Sequence, residues 1–418
     1  MTKHEALRKY FGHSEFRPAQ EQVIDAILAG RDVMGIMPTG AGKSVCFQIP
    51  ALLLSSVTIV ISPLISLMKD QVAGLRDGNI PAAFINSSLS AEQYDEVISR
   101  VRSGYYKIVY VAPERLESGD FIDFAQDSDI SLIAVDEAHC VSQWGQDFRP
   151  SYLRISNFVQ RLKSRPIIGA FTATATDDVK SDIVRLLKLE NPLNLTTGFD
   201  RPNLYFGVER PKNKVVRLHE LIAENSDVCG VVYCSTRKSV DAVCGELRRC
   251  GVSALRYHAG LEASERRANQ DLFLGSGVSV MVATNAFGMG IDKPDVRYVI
   301  HYNMPKNLEN YYQEAGRAGR DMNPAECILL FSEDDITTAE FLSKGSQKNN
   351  ELSPREQKVV RRLDERRLDK MIRFCEVDSC LRAYILRYFG EKHKGYCGNC
   401  SSCRKRSLLS RIFSVVRG

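Results

Sequence analysis

The sequence predicts an α/β protein with two tandem parallel-sheet domains, followed by a small helical segment that binds metal. Three observations support this prediction: apolar runs alternate with helical stretches, the alternation occurs twice, and cysteines cluster near the C-terminus. Strands buried on both faces of a parallel sheet have nearly continuous apolar sequences. We place the two domains at residues 1–198 and 199–340, and the helical segment at residues 341–418.

The predicted strands form two series, separated by a joint near GFDRPNL (198–204). The first series comprises DVMGIM (32–37), VTIVIS (57–62), KIVYVA (107–112), SLIAVD (131–136) and PIIGAF (166–171). The second series comprises VCGVVYC (228–234), VSALRY (252–257), SVMVAT (279–284), VRYVIHY (296–302) and ECILLF (326–331). Polar, charged and helical sequence follows from about residue 340, so the α/β layout is expected to end there.

Composition limits the class of protein. The 418 residues are 44% hydrophobic and 26% charged, as in a globular chain with more than one domain. No unbroken apolar run reaches the roughly 20 residues that a membrane span needs, and the polar N-terminus MTKHEALRKYFG is unlike a secretory signal. We therefore expect a cytoplasmic protein, in the bacterial cytoplasm or nucleoid, with reduced cysteines and no membrane partner.

Charge is unevenly distributed along the chain. Residues 351–418 contain 17 lysines and arginines against 8 acidic residues, although the net charge of the whole chain is only +5. A basic C-terminal region indicates contact with a polyanion. The alternative is a solvated helix with salt bridges, because RRLDERRLDK at 361–370 mixes both signs.

A glycine loop, MPTGAGKS (37–44), lies between a predicted strand and a helix-like run, which is the context of a phosphate-binding P-loop. Its predicted nucleotide-binding residues are Thr39, Gly40, Gly42, Lys43 and Ser44. Glycines allow backbone N–H groups to converge on phosphate oxygens, and the following helix adds its positive N-terminal dipole. Lys43 is expected to reach the β- and γ-phosphates, and Ser44 to hold Mg²⁺. The strict motif has glycine where Met37 stands, so the loop needs support from elsewhere in the chain.

That support comes from DEAH (136–139), which follows a predicted strand about 90 residues after the loop. Ligands of α/β sheets bind at the carboxyl ends of strands. Asp136 is therefore expected to coordinate Mg²⁺, and Glu137 to be the general base that deprotonates the attacking water. The alternative is an acidic helix start, where Asp and Glu are common.

Two arginines in YYQEAGRAGRD (311–321) supply positive charge in the second domain. We predict that Arg317 and Arg320 lie on a helical stretch and act as arginine fingers, since phosphoryl transfer needs cations aimed at developing negative charge. Gln313 lies one turn before Arg317 and is expected to bind nucleotide. The alternative is a helix whose arginines pair with neighbouring acids.

These motifs, with several others, resemble those of the RecQ DNA helicases of helicase superfamily 2 over essentially the whole chain. The matching segments are FGHSEFRPAQ (11–20), MPTGAGKS (37–44), ISPLISLMKDQV (61–72), DEAHCVSQWGQDFRP (136–150), FTATA (171–175), ATNAFGMGIDKPDVR (283–297), QEAGRAGR (313–320) and the terminal cysteines. DEAH fits many nucleic-acid ATPases, whereas SQWGxDFRP after it is specific to RecQ. The resemblance implies two RecA-like P-loop domains that use ATP.

The resemblance also assigns residues to the nucleotide base. It implies that Gln20 reads the adenine edge and that Arg17 stacks on the adenine face. The family usually has an aromatic residue on the opposite face, where this chain has His13. An imidazole also stacks, but over a smaller area.

By the same resemblance, CVSQWGQDFRP (140–150) is an aromatic-rich loop that senses single-stranded DNA and relays this to the ATP site. Trp144 and Phe148 offer faces for bases, and Arg149 offers a cation. The family commonly has histidine where this chain has Gln146, which retains hydrogen bonding but not a protonatable ring. The implied DNA contacts elsewhere are Ser62, Pro63, Thr236, Arg237 and Thr284, with Thr172 and Thr174 linking DNA to nucleotide. Such backbone contacts predict binding that is sequence-independent and sensitive to salt.

The C-terminal cysteines have the spacing of a structural zinc site. Four thiols in the pattern C-x16-C-x2-C-x2-C suit tetrahedral Zn²⁺ with no open coordination position: Cys380, Cys397, Cys400 and Cys403. In a reducing compartment metal binding is favoured over disulfides. Cys375 competes for the fourth position on spacing, and the resemblance favours Cys380.

Together these features predict an ATP-dependent DNA helicase that moves 3′ to 5′ on single-stranded DNA and unwinds duplexes in DNA repair and recombination. Direction and biological role are implied by the resemblance. Two alternatives stay open: an RNA-directed ATPase of the same superfamily, and a DNA-binding scaffold with weak or no unwinding. The expected partners are single-stranded and tailed duplex DNA, with single-strand-binding and recombination proteins as further candidates, and the chain is expected to be a monomer.

RecQ proteins usually continue into a winged-helix domain and often into a further helical domain. Only 15 residues follow Cys403, so we expect neither domain to be complete in this chain. The chain is then either a naturally short member or a shortened one. In both cases duplex separation is expected to be less efficient than translocation.

Overall fold

The computed structural model describes residues 1–275, 278–287, 293–345 and 352–407. The chain separates into two compact units, Met1–Gly198 and Phe199–Gly418. Residues 288–292, which belong to the matching segment ATNAFGMGIDKPDVR (283–297), lie outside the described residues, as do residues 408–418. The predicted division of the second unit at residue 340 stays a prediction. In the described part of the chain, no helix combines the length and the apolar character that crossing a membrane requires.

The first unit, all of whose residues are described, is built on a parallel sheet of seven strands. The strands are β1 Val33–Ile36, β2 Val57–Ile61, β3 Ala82–Ile85, β4 Ile108–Val111, β5 Ile130–Val135, β6 Ile167–Thr172 and β7 Leu193–Thr196. Their order across the sheet is β3-β4-β2-β5-β6-β1-β7. Because all pairs are parallel, the carboxyl ends of the strands meet at one edge, where sites of α/β proteins form.

The predicted strands of this unit are confirmed, and their apolar sequences are buried as expected for a sheet covered on both faces. β3 and β7 were not predicted. β3 is the four-residue run AAFI, too short to stand out from its surroundings. β7 alternates half-buried and exposed positions, as an edge strand does.

Helices connect the strands and cover both faces of this sheet. They are α1 Lys3–Phe11, α2 Pro18–Leu28, α3 Val45–Leu53, α4 Ile65–Asp77, α5 Ala91–Arg102, α6 Gly119–Asp127, α7 Arg154–Gln160 and α8 Asp177–Leu186, with short 3-10 helices at Pro113–Glu117, Ala138–Val141 and Pro150–Leu153. Capping boxes at Thr2 and Ser90 define where α1 and α5 begin. α3 is almost entirely apolar and buried, and its Phe47 packs on Phe171 of β6 with 5.4 Å between ring centroids.

The second unit contains, among its described residues, a parallel sheet of six strands. The strands are β8 Leu204–Glu209, β9 Gly230–Tyr233, β10 Ala254–Tyr257, β11 Val280–Ala283, β12 Tyr298–His301 and β13 Ala325–Leu330. Their order is β10-β11-β9-β12-β13-β8. The predicted strands are again confirmed, whereas β8 was not predicted because LYFGVE ends in half-buried positions and begins at Leu204, the last residue of the joint.

The helices of the second unit continue beyond its last strand. They are α9 Lys214–Ala223, α10 Arg237–Arg249, α11 Ala263–Leu274, α12 Leu308–Ala315, α13 Glu333–Gly345, α14 Pro354–Glu376 and α15 Leu381–Tyr388. A capping box at Ser353 begins α14. The prediction that Arg317 and Arg320 lie on a helical stretch is wrong. α12 ends at Ala315, and the glycines of GRAG favour the turn that follows.

Candidate nucleotide site and cysteine cluster

The phosphate loop (residues 37–44) leaves the carboxyl end of β1 and leads into α3. Gly40 and Gly42 have positive φ values of 81° and 76°, which residues with a Cβ rarely adopt. A Cβ at Gly42 would also lie 2.2 Å from Nε2 of Gln20. Glycine at position 42 is therefore favoured by the backbone conformation, and a residue with a Cβ would also have to displace the end of the Gln20 side chain.

Lys43 lies between two carboxylates that come from a distant part of the chain. Its Nζ is 2.9 Å from Asp136 Oδ1 and 2.8 Å from Glu137 Oε1. Both acids follow the carboxyl end of β5, which shares its sheet edge with β1. The parallel sheet thus brings together three predicted catalytic groups, two of them separated by 94 residues.

The electrostatics of this group favour an ionised base. Burial by itself opposes the charge of Lys43, but Asp136 and Glu137 outweigh it and raise the pKa of the lysine. Burial also opposes the charge of Glu137, yet Lys43 and His139 lower the pKa of this carboxyl. Burial raises the pKa of Asp136, with the charge of Glu137 acting in the same direction. Glu137 is therefore a carboxylate at neutral pH, the form that can accept a proton.

The backbone around the two acids is held in an uncommon conformation. Glu137 has φ 47° and ψ 47°, in the left-handed region that a side chain with a Cβ seldom occupies. Asp136 Oδ1 accepts a hydrogen bond from the Glu137 N–H at 2.9 Å, and the hydroxyl of Tyr152 donates to the Asp136 carbonyl at 2.9 Å. Tyr152 was not predicted from the sequence, but its buried hydroxyl helps to fix the acids.

Two oxygen donors at this edge fit Mg²⁺, which prefers oxygen ligands. Ser44 is the N-cap of α3, yet its side chain makes no capping hydrogen bond. The hydroxyl is therefore not used by its own helix. Together with the Asp136 carboxylate it forms a donor set suited to Mg²⁺ beside a helix N-terminus suited to phosphate.

The residues assigned to adenine brace the phosphate loop. Gln20 is buried, and its Nε2 donates to the carbonyls of Ala41 and Gly42 at 3.2 and 3.1 Å. The guanidinium of Arg17 donates to the carbonyl of Gly40. His13 is exposed between α1 and α2. Contact of these side chains with adenine stays a prediction.

A buried histidine connects Glu137 to neighbouring segments. His139 Nδ1 lies 2.8 Å from Thr172 Oγ1 and 3.3 Å from Glu137 Oε2. The Thr172 hydroxyl also lies 3.1 Å from the Thr174 carbonyl, and His139 Nε2 lies 3.5 Å from Gln146 Nε2. Sequence reasoning assigned no role to His139. A role for His139 could have been inferred from the sequence because DEAH and FTATA lie at the carboxyl ends of two predicted strands. In the structure these strands, β5 and β6, are adjacent, so that the two side chains meet.

The aromatic loop (residues 142–149) packs directly on this histidine segment. A Cβ at Gly145 would lie 2.1 Å from the His139 carbonyl oxygen, so the two backbones touch. Trp144 is 41% exposed and Phe148 is half-buried. Arg149 donates to the Pro63 carbonyl at 2.7 Å. The loop therefore presents an exposed aromatic side chain, Trp144, while its backbone contacts the segment that follows Glu137.

The other predicted DNA contacts lie just after strand ends in both units. Ser62 and Pro63 follow β2, and Ser62 is fully buried, with a hydroxyl that bonds to none of the described residues. Thr236 is the N-cap of α10, and its hydroxyl accepts a backbone N–H of the first turn at 3.0 Å. Arg237 is exposed, whereas Thr284 is buried. Phosphate contact by these residues stays a prediction.

The arginine turn (residues 316–320) follows α12 in the second unit. Arg317 is 7% exposed, and Arg320 and Gln313 are half-buried. Burial raises the pKa of Tyr233 at the end of β9, and the positive charges of Arg317 and Arg320 act in the opposite direction. The two arginines therefore lie near the carboxyl end of the second sheet.

The four predicted zinc ligands are together. Their four Sγ atoms all lie within 4.8 Å of one another: Cys380, Cys397, Cys400 and Cys403. Backbone N–H groups approach two of the sulfurs at 3.3 and 3.4 Å. Burial opposes the thiolate of Cys403, but backbone hydrogen bonds outweigh it and lower the pKa to about 7. The set fits a four-thiolate zinc site, and Cys375, the alternative fourth ligand, is not part of it.

Solved structures of other proteins have a similar fold. Saccharomyces cerevisiae Dbp5, solved with RNA, matches with a TM-score of 0.66 and 18% identity over 87% of this chain and 97% of that chain. Mycobacterium smegmatis Lhr, solved with single-stranded DNA, matches with a TM-score of 0.62 and 16% identity over 88% of this chain and 57% of that chain. Identity this low shows the fold alone. The two parallel sheets and the phosphate loop together define an α/β protein of the P-loop class.

Sequence comparison identifies the family. The DEAD/DEAH box helicase model matches residues 17–182, the helicase conserved C-terminal domain model matches residues 213–322, and the RecQ zinc-binding model matches residues 333–404. The zinc-binding model covers the cysteine cluster described above. The chain belongs to the RecQ family of helicases.

Relatives named ATP-dependent DNA helicase RecQ are similar along almost the whole chain. The Bacillus subtilis protein is 46% identical over 95% of this chain, and the Haemophilus influenzae protein is 41% identical over 95%. The Saccharomyces cerevisiae helicase SGS1 is 39% identical over 95%. This chain spans 66%, 62% and 28% of the lengths of those three relatives.

Proposed function

We propose that this chain is the motor of a DNA helicase that hydrolyses ATP, moves 3′ to 5′ along single-stranded DNA and separates duplexes in DNA repair and recombination. The observation that carries the proposal is the contact of Lys43 with Asp136 and Glu137 at a phosphate loop whose two glycines have positive φ values. Its support from outside the chain is the 46% identity to a relative named ATP-dependent DNA helicase RecQ.

In the proposed reaction, Lys43 exchanges its carboxylate partners for the β- and γ-phosphates. This exchange leaves Asp136, with the Ser44 hydroxyl, to hold Mg²⁺, and leaves Glu137 to accept a proton from the attacking water. Mg²⁺ supplies neutralising charge to the phosphate oxygens when it is bound. Arg317 and Arg320 stabilise the charge that develops in the transition state, as cations do in phosphoryl transfer.

Coupling to DNA is proposed to pass through the aromatic loop. Bases that stack on Trp144 and Phe148 displace the loop, whose Gly145 touches the backbone of His139. His139 lies 3.3 Å from the Glu137 carboxylate, so a shift of the histidine changes the placement of the base. Gln146 lies 3.5 Å from the same imidazole and takes part in this relay.

Zinc is proposed to be held by the four cysteines as a structural ion, because four thiolates leave no position for a reacting ligand. Single-stranded and tailed duplex DNA are the proposed substrates, and single-strand-binding or recombination proteins the proposed partners. Family membership supports an action on DNA, and we propose that the chain acts as a monomer in the cytoplasm or nucleoid.

The deciding experiment measures strand displacement on duplexes with a 3′ tail or a 5′ tail, with and without ATP. We expect displacement of the 3′-tailed duplex alone, and only with ATP. Single-stranded DNA should also stimulate ATP hydrolysis more strongly than RNA of the same length. Equal stimulation by RNA would favour an RNA-directed ATPase, and DNA binding without any hydrolysis would favour a scaffold.

A further inference from the structure

The DRPNL segment (residues 200–204) lies just before β8 and reaches the arginine turn through its side chains. Arg201 is only 8% exposed. Its Nη2 donates to the carbonyl of Gly319 at 2.7 Å and to that of Ala318 at 3.1 Å, and its Nη1 lies 3.5 Å from the Gly316 carbonyl. One guanidinium therefore contacts three carbonyls of the turn that carries Arg317 and Arg320.

Asn203, two residues after Arg201, also forms hydrogen bonds with the arginine turn and the residues that follow it. Its Nδ2 donates to the carbonyls of Gly319 and Asn323, both at 2.9 Å. Gly319 has a positive φ of 55°, and a Cβ there would lie 2.5 Å from Asn203 Nδ2. The turn thus has a conformation suited to glycine and is closed against the DRPNL segment.

The backbone of the DRPNL segment is held from the side of the cysteine cluster. Arg382, two residues after Cys380, donates to the carbonyls of Arg201 and Leu204 at 2.6 and 2.5 Å. Asn399, between two of the cysteines, donates from Nδ2 to the Leu204 carbonyl at 3.2 Å. The segment is therefore anchored by its backbone, while its side chains support the turn.

This arrangement has a clear physical basis. Carbonyls at the end of a helix have no partners within the helix, and those that follow α12 lie in a buried turn. Arginine carries five N–H donors in a rigid planar fork, so one side chain bonds several carbonyls in a fixed geometry. A lysine at this position has a single nitrogen on a flexible stem. The guanidinium of Arg201, together with Asn203, therefore helps to hold the turn that carries Arg317 and Arg320.

We propose that Arg201 is a positioning residue for ATP hydrolysis, acting only through the arginine turn and never on the nucleotide itself. The proposal rests on the proposed function, in which Arg317 and Arg320 stabilise the transition state. Displacement of a catalytic group by about 1 Å lowers rates by up to about 100-fold. Since the effect is confined to the transition state, it lowers kcat and leaves KM for ATP nearly unchanged.

The test is steady-state ATP hydrolysis, with saturating single-stranded DNA, by Arg201→Gln in the full chain. We expect kcat to fall about 10- to 100-fold while KM for ATP stays within about twofold, with zinc content unaltered because the backbone anchors stay. Arg201→Lys should recover only part of the loss. Arg217→Gln is the matched control: this arginine pairs at the surface with Glu209 and should leave kcat unchanged.

A double-mutant cycle separates positioning from a general structural role. If Arg201 acts through the turn, Arg201→Gln should lower kcat by a smaller factor in an Arg317→Ala background than in the unaltered chain, because only the contribution of Arg320 is left to lose. An equal loss in both backgrounds would overturn the proposal, as would a rise in KM with constant kcat. If Arg201→Gln does not fold, Asn203→Ala replaces it in the same cycle with the same two outcomes. Absence of hydrolysis by the unaltered chain would instead refute the proposed function, and this role with it.

Discussion

β1 and β8 occupy matching positions in the two sheets, but the helices that follow them begin differently. β1 lies beside β6 in the first sheet, and β8 lies beside β13 in the second. β1 leads into α3, where the N-cap Ser44 makes no side-chain capping bond. β8 leads into α9, where the side chain of Asn213 accepts the N–H groups of Val215 and Val216 at 3.0 and 3.2 Å.

The difference shows how one layout serves two purposes. A side-chain cap satisfies helix N–H groups and typically contributes about 1 kcal/mol of stability. α9 has this cap, which satisfies the N–H groups of Val215 and Val216. α3 lacks such a cap, and the N–H groups of Cys46 and Phe47 bond instead to the backbone carbonyls of Lys43 and Ser44 at 3.1 and 3.2 Å. The positive end of its dipole remains suited to a phosphate, which is the proposed ligand. The first unit therefore lacks a stabilising side-chain cap at the helix start where the phosphate is proposed to bind.

The outer neighbours of the two strands differ as well. β1 is flanked by β7, a further strand of its sheet. β8 is flanked instead by the cysteine cluster, through a bridge between Phe206 and Cys400 and a bond of 3.3 Å from the Val208 N–H to the Ser401 hydroxyl. The cluster thus covers an edge that would otherwise expose unpaired backbone groups.

The largest effect is expected at Lys43, in the phosphate loop of the first unit. Lys43→Ala should lower kcat for ATP hydrolysis by at least about 100-fold, because it removes the cation that contacts the phosphates. The measurement is phosphate release with saturating single-stranded DNA. Lys180→Ala, which removes a surface lysine paired with Asp177, is the control and should hydrolyse ATP normally. Unchanged turnover in Lys43→Ala would refute the assignment of the site.

The second prediction concerns the covered edge of the second unit. Cys380→Ser, or removal of zinc by a chelator, should lower the Tm by more than about 5 °C, because metal binding contributes directly to folding. Hydrogen exchange should increase in β8 and stay low in β1. DNA binding should weaken in parallel.

Cys375→Ser is the control for the cluster. This buried cysteine was the alternative ligand, and its substitution should leave one zinc per chain. Metal analysis in which Cys375→Ser loses zinc and Cys380→Ser retains it would contradict the ligand set.

The smallest expected effect compares the two helix N-termini directly. Asn213→Ala should lower the free energy of unfolding by about 1 kcal/mol through loss of its cap, with ATP hydrolysis unchanged. Ser44→Ala should have little effect on stability, because its hydroxyl caps nothing, yet should reduce hydrolysis through weaker Mg²⁺ binding. Denaturant unfolding and phosphate release measure the two effects. A loss of stability in Ser44→Ala as large as that in Asn213→Ala would show that both helix starts are capped alike.

The sequence by itself determined the features that depend on neighbouring residues. Buried strands of a parallel sheet are continuous apolar runs, so most strands were predictable, as were the phosphate loop, DEAH and the spacing of the cysteines. The strands β3, β7 and β8 were missed because they are short or only partly buried. The helix was extended too far toward Arg317 because the spacing of charges does not reveal where a helix ends.

Only the tertiary structure decided which distant groups meet. Lys43 and Glu137 are 94 residues apart, and Arg201 and Gly319 are 118 apart, and each contact depends on the order of strands in a sheet. The role of His139 between Glu137 and Thr172 arises in the same way. Such contacts leave no periodicity in the sequence, because a single side chain makes them across a sheet edge or a turn. The uncapped start of α3 is likewise visible only when the Ser44 hydroxyl is placed.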